Sequence, residues 1–322
     1  MLKILIIGGC GYIGARLTPH LKSRGHEVEI VDLCWFGRHV PAGVLLHMLD
    51  ARSLTVDDMY GFDQVIYIAG MSNDPMADHA PYVNYVANAA LPAYLADIAR
   101  RGGVKRFIHG SSCSVYGFAP LGILTEDARP ETYSPYGVSK LMAEFGCAQH
   151  ALDMEVINLR QGTLAGWSPR LRLDLVLNAM VASAISSRAL SVNDPQAQRP
   201  LLFIDDAIDA YTAVIESTKR ELSGTYNLVS RNTSVSDIAK FVAEFFASEG
   251  LGLLSIKTKG QHDIRSYKAS AQKFRGVFDW VPRATLHQTV AELVFKLEGV
   301  DLDDDNFYNI RTFKALPGSP AG

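Results

Sequence analysis

The apolar positions of this chain fall into two alternating textures. Residues 4–7, Ile4-Leu5-Ile6-Ile7, form a short continuous apolar run, as expected of a strand buried on both faces of a parallel sheet. Further strands are expected at 27–31, 64–69, 105–110 and 154–159, and another is expected to end at Met48-Leu49-Asp50-Ala51. Longer stretches with helical spacing lie between them, one opening at Ala15-Arg16-Leu17 and one covering 81–101, where Pro92 should kink the helix. Such alternation, up to about residue 160, predicts an α/β chain with a doubly wound parallel sheet. Beyond Gly166 the texture changes. Loops at Trp167-Ser168-Pro169-Arg170 and Asn193-Asp194-Pro195-Gln196 interrupt it, helices dominate, and the strand candidates at 201–204 and 225–229 are short. The expected organisation is a nucleotide-binding domain over 1–165, joined by late strands near 200–230. A smaller mixed α/β substrate lobe over 166–322 interleaves with it, and the acidic run 301–305 reads as a solvated face or tail.

The first strand runs directly into Gly8-Gly9-Cys10-Gly11-Tyr12-Ile13-Gly14, and a helix follows. Glycines at 8, 11 and 14 allow a tight turn and let a pyrophosphate approach the amides of the loop, Tyr12 and Ile13 included, at a helix N-terminus. The second strand ends in Asp32, placed to accept hydrogen bonds from adenosine ribose hydroxyls. Strand, glycine loop, helix and acidic strand end, in that order, predict a Rossmann-like dinucleotide site. The nearest basic residue after Asp32 is Arg38, so the expected cofactor is NAD rather than NADP. Asp50, with Ala51, is placed either to reach the adenine or to cap the helix that follows. Ala69-Gly70-Met71 is expected to let the cofactor diphosphate pass close to backbone.

Chemistry enters at Ser134-Pro135-Tyr136-Gly137-Val138-Ser139-Lys140. Past Pro135 the residues favour a helix, on which Tyr136 and Lys140 share a face. A nearby ammonium favours a phenolate, and a tyrosinate can take the proton of a secondary alcohol while its hydride leaves.

Composition narrows the function class. The chain has 322 residues, 48% hydrophobic and 20% charged, with a net charge of −3. It carries no basic field for nucleic acid or an anionic membrane. No segment has the ~18 apolar residues of a membrane span, and the opening apolar run is too short for a signal peptide. Four scattered cysteines, Cys10, Cys34, Cys113 and Cys147, and nine dispersed histidines suggest no metal site and fit a reducing cytoplasm.

With the glycine loop, Asp32, Ser112 and Tyr136/Lys140 in order, the chain resembles the extended short-chain dehydrogenase/reductases, and within them the NAD-dependent nucleotide-sugar epimerase/dehydratase family. The resemblance runs from Leu2 to about Leu286. It implies a Ser or Thr four positions before the Tyr of a V-Y-G, here Ser112 ahead of Val115-Tyr116-Gly117, with Ser111 the fallback. Lys140 would hold the nicotinamide ribose. Asn178, Arg199 and Arg265 fall where relatives bind the diphosphate of the substrate, arginine being suited to phosphate geometry, although each could instead be a surface or structural residue. The dehydratases of the family follow their catalytic hydroxyl with acids; here Cys113 and Ser114 follow, which disfavours a dehydratase. Cys113 is either a proton carrier beside a ketone or a buried small residue. The resemblance thus implies an NAD-dependent 4-epimerase of a nucleotide sugar, acting through a transient 4-keto sugar. A 4-dehydrogenase, or a 3-/5-epimerase using Cys113, is the alternative, with an NAD-sensing regulator or structural protein as the non-enzymatic one. The resemblance also implies a homodimer through helices at 81–101 and 136–150, where Leu141, Ala143, Phe145 and Ala148 would pack.

Overall fold

The computed structural model describes residues 1–260 and 266–316. In chain order its strands are β1 (Lys3–Ile7), β2 (Glu27–Val31), β3 (Leu45–His47), β4 (Gln64–Tyr67), β5 (Arg106–Ser112), β6 (Ala119–Leu124), β7 (Glu155–Gln161), β8 (Thr163–Ala165), β9 (Ala189–Val192), β10 (Gln198–Phe203), β11 (Gly224–Leu228), β12 (Arg231–Ser234), β13 (Ser255–Thr258) and β14 (Tyr267–Ala269). The α-helices are α1 (Gly14–Ser23), α2 (Asp74–His79), α3 (Pro81–Tyr85), α4 (Leu91–Arg101), α5 (Pro135–Ala148), α6 (Val176–Ser187), α7 (Ile204–Glu216), α8 (Val235–Ser248), α9 (Gln272–Phe278), α10 (Leu286–Lys296) and α11 (Asn309–Ala315).

Seven strands form the central sheet, in the order β11-β7-β5-β4-β1-β2-β3, and every pairing in it is parallel. The apolar runs of the sequence are its inner strands, β1, β4 and β5, whose side chains are buried on both faces. One face packs on Leu17, Leu21, Tyr211 and Val214 of α1 and α7. The other packs on Leu95, Ala99 and Cys147 of α4 and α5. The chain moves outward from β1 to β3, then returns to β4 and moves the other way. That reversal, between β1 and β4, is where open α/β sheets hold ligands.

A second apolar cluster joins α6, α8 and α10 to β9 and β10. Its strands form small sheets, β12-β10-β8 and β13-β9, and β14 pairs with β6. Of the two late strand candidates, the one at 225–229 is β11 and closes the central sheet, whereas the one at 201–204 is β10 of the three-stranded sheet.

Three expectations need correction. The third strand ends at His47, because Asp50 caps a 3-10 turn over Ala51–Ser53. The helix over 81–101 is not a simple kinked helix. A π-helical stretch, Val86–Ala90, separates α3 from α4, and Pro92 sits in the first turn of α4, where its missing amide costs nothing. The region after the acidic run is not a tail as far as residue 316. Asp304 caps a 3-10 turn and α11 follows, burying Phe313 against Met71, Met76 and Ala80.

Candidate active site

At the carboxyl ends of β1 and β4 lies a cavity of about 760 Å³, within the size range of ligand pockets. Its floor depends on Gly8, which has φ +94° and where a Cβ would stand 2.4 Å from the backbone nitrogen of Ala69. No other residue fits that turn without moving the loop that faces it. Gly8, Gly11, Tyr12 and Ile13 line the cavity from one side, and Ala69, Gly70 and Met71 from the other. Gly14 is not in the lining. It packs on Gly9, whose carbonyl oxygen a Cβ would meet at 2.4 Å.

Asp32, just past β2, also faces the cavity. Its carboxylate accepts from the Cys10 amide at 2.9 Å and the Cys34 amide at 2.7 Å, and burial pushes its pKa up. Each carboxylate oxygen keeps a lone pair for a ribose hydroxyl. Asp50 lines the cavity and caps the 3-10 turn as well: Oδ1 accepts from the Arg52 amide, and Oδ2 from the Arg52 guanidinium at 2.6 Å. The capping reading of Asp50 thus holds, and its place in the cavity wall leaves it among the residues proposed for the cofactor. A glycine cradle closed to any Cβ, facing amides and an acidic strand end fit a dinucleotide.

Tyr136 enters at the start of α5. Ser134 caps this helix, its Oγ accepting from the Gly137 amide at 3.0 Å, and Pro135 occupies the first turn. A Cβ on Gly137 would lie 2.1 Å from Thr132 Oγ1 and 2.8 Å from the Ser114 carbonyl oxygen. This close approach sets Tyr136 in the cavity wall with Ser112, whose hydroxyl acts to lower the phenol pKa. Burial raises the phenol pKa to about 12, and the Asp74 carboxylate adds to that rise; Ser112 and the Arg172 guanidinium oppose it. Lys140 donates to the Gly110 carbonyl at 2.8 Å, and burial pulls its ammonium down to about 8. The Arg172 guanidinium is a cation acting on the phenol that helical spacing did not single out. Ser111, the fallback, is buried and donates to Glu144, so Ser112 is the hydroxyl at the phenol.

Cys113 corrects the sequence reading. It is fully buried behind the cavity wall, its thiol donating to the Arg160 carbonyl at 3.2 Å, and burial pushes its pKa up. The cavity lining contains Ser112 and Ser114 but skips Cys113. Asn178 is a second correction. It is fully buried, donates to Tyr12 Oη, Gly166 O and Arg172 O, and accepts from Gly166 N at 2.9 Å. Every polar atom of its side chain holds protein, so it shapes the wall and leaves nothing for a substrate. Arg199 does line the cavity. Arg265 lies outside the described residues.

Several site residues were not foreseen. Arg170, Arg172 and Asp174 alternate with leucines just past Gly166, a period-two charge pattern that could have marked them. Arg172 forms a forked pair with Asp174 at 2.9 and 3.0 Å, and Asn73 donates to the same carboxylate at 2.7 Å. Asp74, the next residue, lines the cavity and shifts the phenols of Tyr136 and Tyr267. Asn309 of α11 donates to Ser72 Oγ and accepts from Arg170, tying the two walls together. A single asparagine behind an acidic run gives no sequence signal. Asn84 and Asn88, four apart across the π-helical stretch, link Pro135 O to Met71 O and so connect the catalytic helix to the cofactor loop.

Comparison with known proteins adds to this geometry. Residues 4–228 match the model of the NAD dependent epimerase/dehydratase family. The chain is 24% identical over 313 residues to the UDP-glucose 4-epimerase of Corynebacterium glutamicum, covering 90% of this chain and 94% of that protein. It is 25% identical over 328 residues to the UDP-glucose 4-epimerase of Neisseria meningitidis serogroup C, covering 91% and 96%. Among solved structures, that of MoeE5 in complex with UDP-glucuronic acid and NAD aligns with a TM-score of 0.81 at 24% identity, covering 92% of this chain and 100% of that one. The last likeness is one of fold.

Proposed function

The chain belongs to the NAD dependent epimerase/dehydratase family, and from that premise we propose that it is a 4-epimerase of a nucleotide-activated sugar. As a member it is an NAD-dependent enzyme of the extended short-chain dehydrogenase/reductase type. When bound, NAD takes up a hydride from the sugar and gives it back. Asp32 would receive the adenosine ribose hydroxyls, the amides of the Gly8–Ile13 loop the diphosphate, and Lys140 the nicotinamide ribose. Tyr136 takes the proton of the sugar 4-hydroxyl, with Ser112 holding that oxygen and the phenol in one hydrogen-bonded set. The phenol must first lose its own proton. Arg172 favours that loss, and the positive charge of an oxidised nicotinamide would act in the same direction.

The observation that carries the reading is the pairing of Ser112 and Tyr136 on the cavity wall, where Ser112 acts to lower the phenol pKa, with Cys113 turned out of it. Elimination lacks an acid in the segment directly after Ser112, and exchange at C-3 or C-5 lacks the thiol. Return of the hydride to the opposite face of the ketone needs neither. Arg199 is the candidate for the substrate diphosphate, and the relatives favour a UDP-hexose. One observation favours a second reading: Asp74, whose charge reaches both Tyr136 and Tyr267, could move a proton at a carbon beside the ketone. The acting form is proposed to be a homodimer. UDP-glucose given to the protein with NAD should equilibrate with UDP-galactose, and Tyr136→Phe should slow this by orders of magnitude. No conversion of any nucleotide sugar, alongside tight NAD binding, would make the chain a sensor instead.

A further inference from the structure

Cys10 and Cys34 are 24 residues apart and belong to no metal-ligand spacing in the sequence. The fold brings them together beside Asp32. Cys10 lies in the glycine loop. Asp32 Oδ1 accepts from the Cys34 amide, which turns the chain back so that Cys34 Sγ stands 3.7 Å from Cys10 Sγ. One ligand atom from each of Cys10, Asp32 and Cys34 lies within 4.8 Å of the other two.

We propose that Cys10, Asp32 and Cys34 form a binding site for a zinc-class divalent cation that competes with NAD for Asp32. The spacing is the main argument. Two Zn–S bonds of ~2.3 Å at a tetrahedral angle hold their sulfurs ~3.8 Å apart, close to the separation here, whereas a disulfide needs ~2.05 Å. Two thiolates and a carboxylate suit zinc among the common divalent ions, and not magnesium or calcium. The remaining tetrahedral position goes to water from the cavity, because Asp32 and Cys10 both face it. His39 does not fill it, its Nε2 being engaged with the Phe36 carbonyl at 2.8 Å and neither of its ring nitrogens lying within the cluster. Binding releases one proton from each thiol to solvent, leaving a cation with charge +2 held by three negative ligands.

The competition follows if Asp32 receives the adenosine ribose, and in that respect it rests on the NAD reading. A carboxylate oxygen bound to zinc no longer accepts from a ribose hydroxyl in the same place. The metal would then act as an inhibitor of cofactor loading and bound NAD as protection against the metal.

Cobalt(II) is the probe, used on the full chain stripped of nucleotide. One equivalent should give the thiolate-to-cobalt charge-transfer band and the strong visible bands of a tetrahedral site. Zinc should displace it. Cys34→Ser keeps the amide that Asp32 binds and leaves Cys10 as the one thiolate, so it should weaken both the charge-transfer band and the metal affinity while leaving the thermal midpoint close to wild type. NAD at about 100 times its own Kd should raise the apparent metal Kd about 100-fold, as exclusive binding requires. An octahedral spectrum without a thiolate band, or a band undiminished in intensity and in metal affinity in Cys34→Ser, would refute the site. A band that NAD leaves unchanged, although NAD binds, would refute the competition. Absence of NAD binding altogether, with the band intact, would instead overturn the cofactor reading and leave the metal site standing.

Discussion

Tyr136 is held against ionisation in the cofactor-free protein, where burial outweighs the combined pull of Ser112 and Arg172. Removing the Arg172 charge should therefore raise the phenol further. The phenolate absorbance, taken as the difference between each protein and its Tyr136→Phe counterpart, should appear at higher pH in Arg172→Met than in wild type. An unchanged onset would remove Arg172 from the account. Lys140 gives a stability prediction of definite sign. Its folded pKa of about 8 lies below the ~10.4 of an unfolded lysine. Between those values the unfolded chain binds more protons, so this group makes stability rise with pH from about 8 towards 10. Urea melts of Lys140→Met across that window should show a flatter rise than wild type. Cys113 belongs to the interior, so Cys113→Ala should retain turnover within a few-fold and lose stability by about 1 kcal/mol. A loss of turnover by orders of magnitude with the fold intact would restore it as a proton carrier.

At the scale of elements, legibility followed burial. β1 and β4 were readable because strands buried on both faces leave apolar runs; β2, β5 and β7 were placed by their spacing in the alternation of strands and helices, and glycine spacing announced the cofactor loop. The hydroxyl and phenol of the site were readable too, since α5 has a local cap and its own spacing. The second lobe was readable only in part: β10 showed as the candidate at 201–204, whereas β9, β12 and β13 did not show, because they owe their pairing to distant segments and are short. Nor were Arg172, Asp174 and Asn309 recognised as site residues, since a charged residue in a loop looks solvated until the opposing wall is known. Asn178 was misread for the reverse reason, and Cys113 was left open for it: their residue types suit chemistry, but both side chains face inward. Two substitutions test the elements that hold the site. Gly8→Ala would force a Cβ into the backbone of Ala69 at a strained φ, costing about 1–3 kcal/mol from strain alone and weakening NAD binding in titration. Arg172→Met strands the Asp174 carboxylate in a half-buried wall and should cost up to ~3–5 kcal/mol. Arg172→Met with Asp174→Leu should recover much of it, and denaturant melts of the three proteins would reveal whether that pair is coupled.

At the scale of the molecule, no described helix is long and apolar enough to cross a membrane, and α3 and α5 leave large apolar side chains exposed where the proposed homodimer would pack. Tyr82 and Tyr85 of α3 and Phe145 of α5 are exposed at 80%, 49% and 58%. Of the residues expected at the dimer face, Ala143 is fully buried and Leu141 packs against the monomer core, so Phe145 is the better anchor. Phe145→Asp should shift the proposed homodimer to monomer by light scattering, with the thermal midpoint little changed. A wild-type monomer at micromolar concentration would contradict the assembly. The central claim is that hydride leaves the sugar C-4, returns to the other face, and no carbon-bound proton exchanges on the way. The most direct test is to run the conversion of UDP-glucose in deuterated water with bound NAD and follow the sugar by mass and the nicotinamide by absorbance. The account predicts the C-4 epimer with no deuterium on carbon and no net NADH. Deuterium at C-3 or C-5, lost in Asp74→Asn, or NADH accumulating with free ketone, would contradict it.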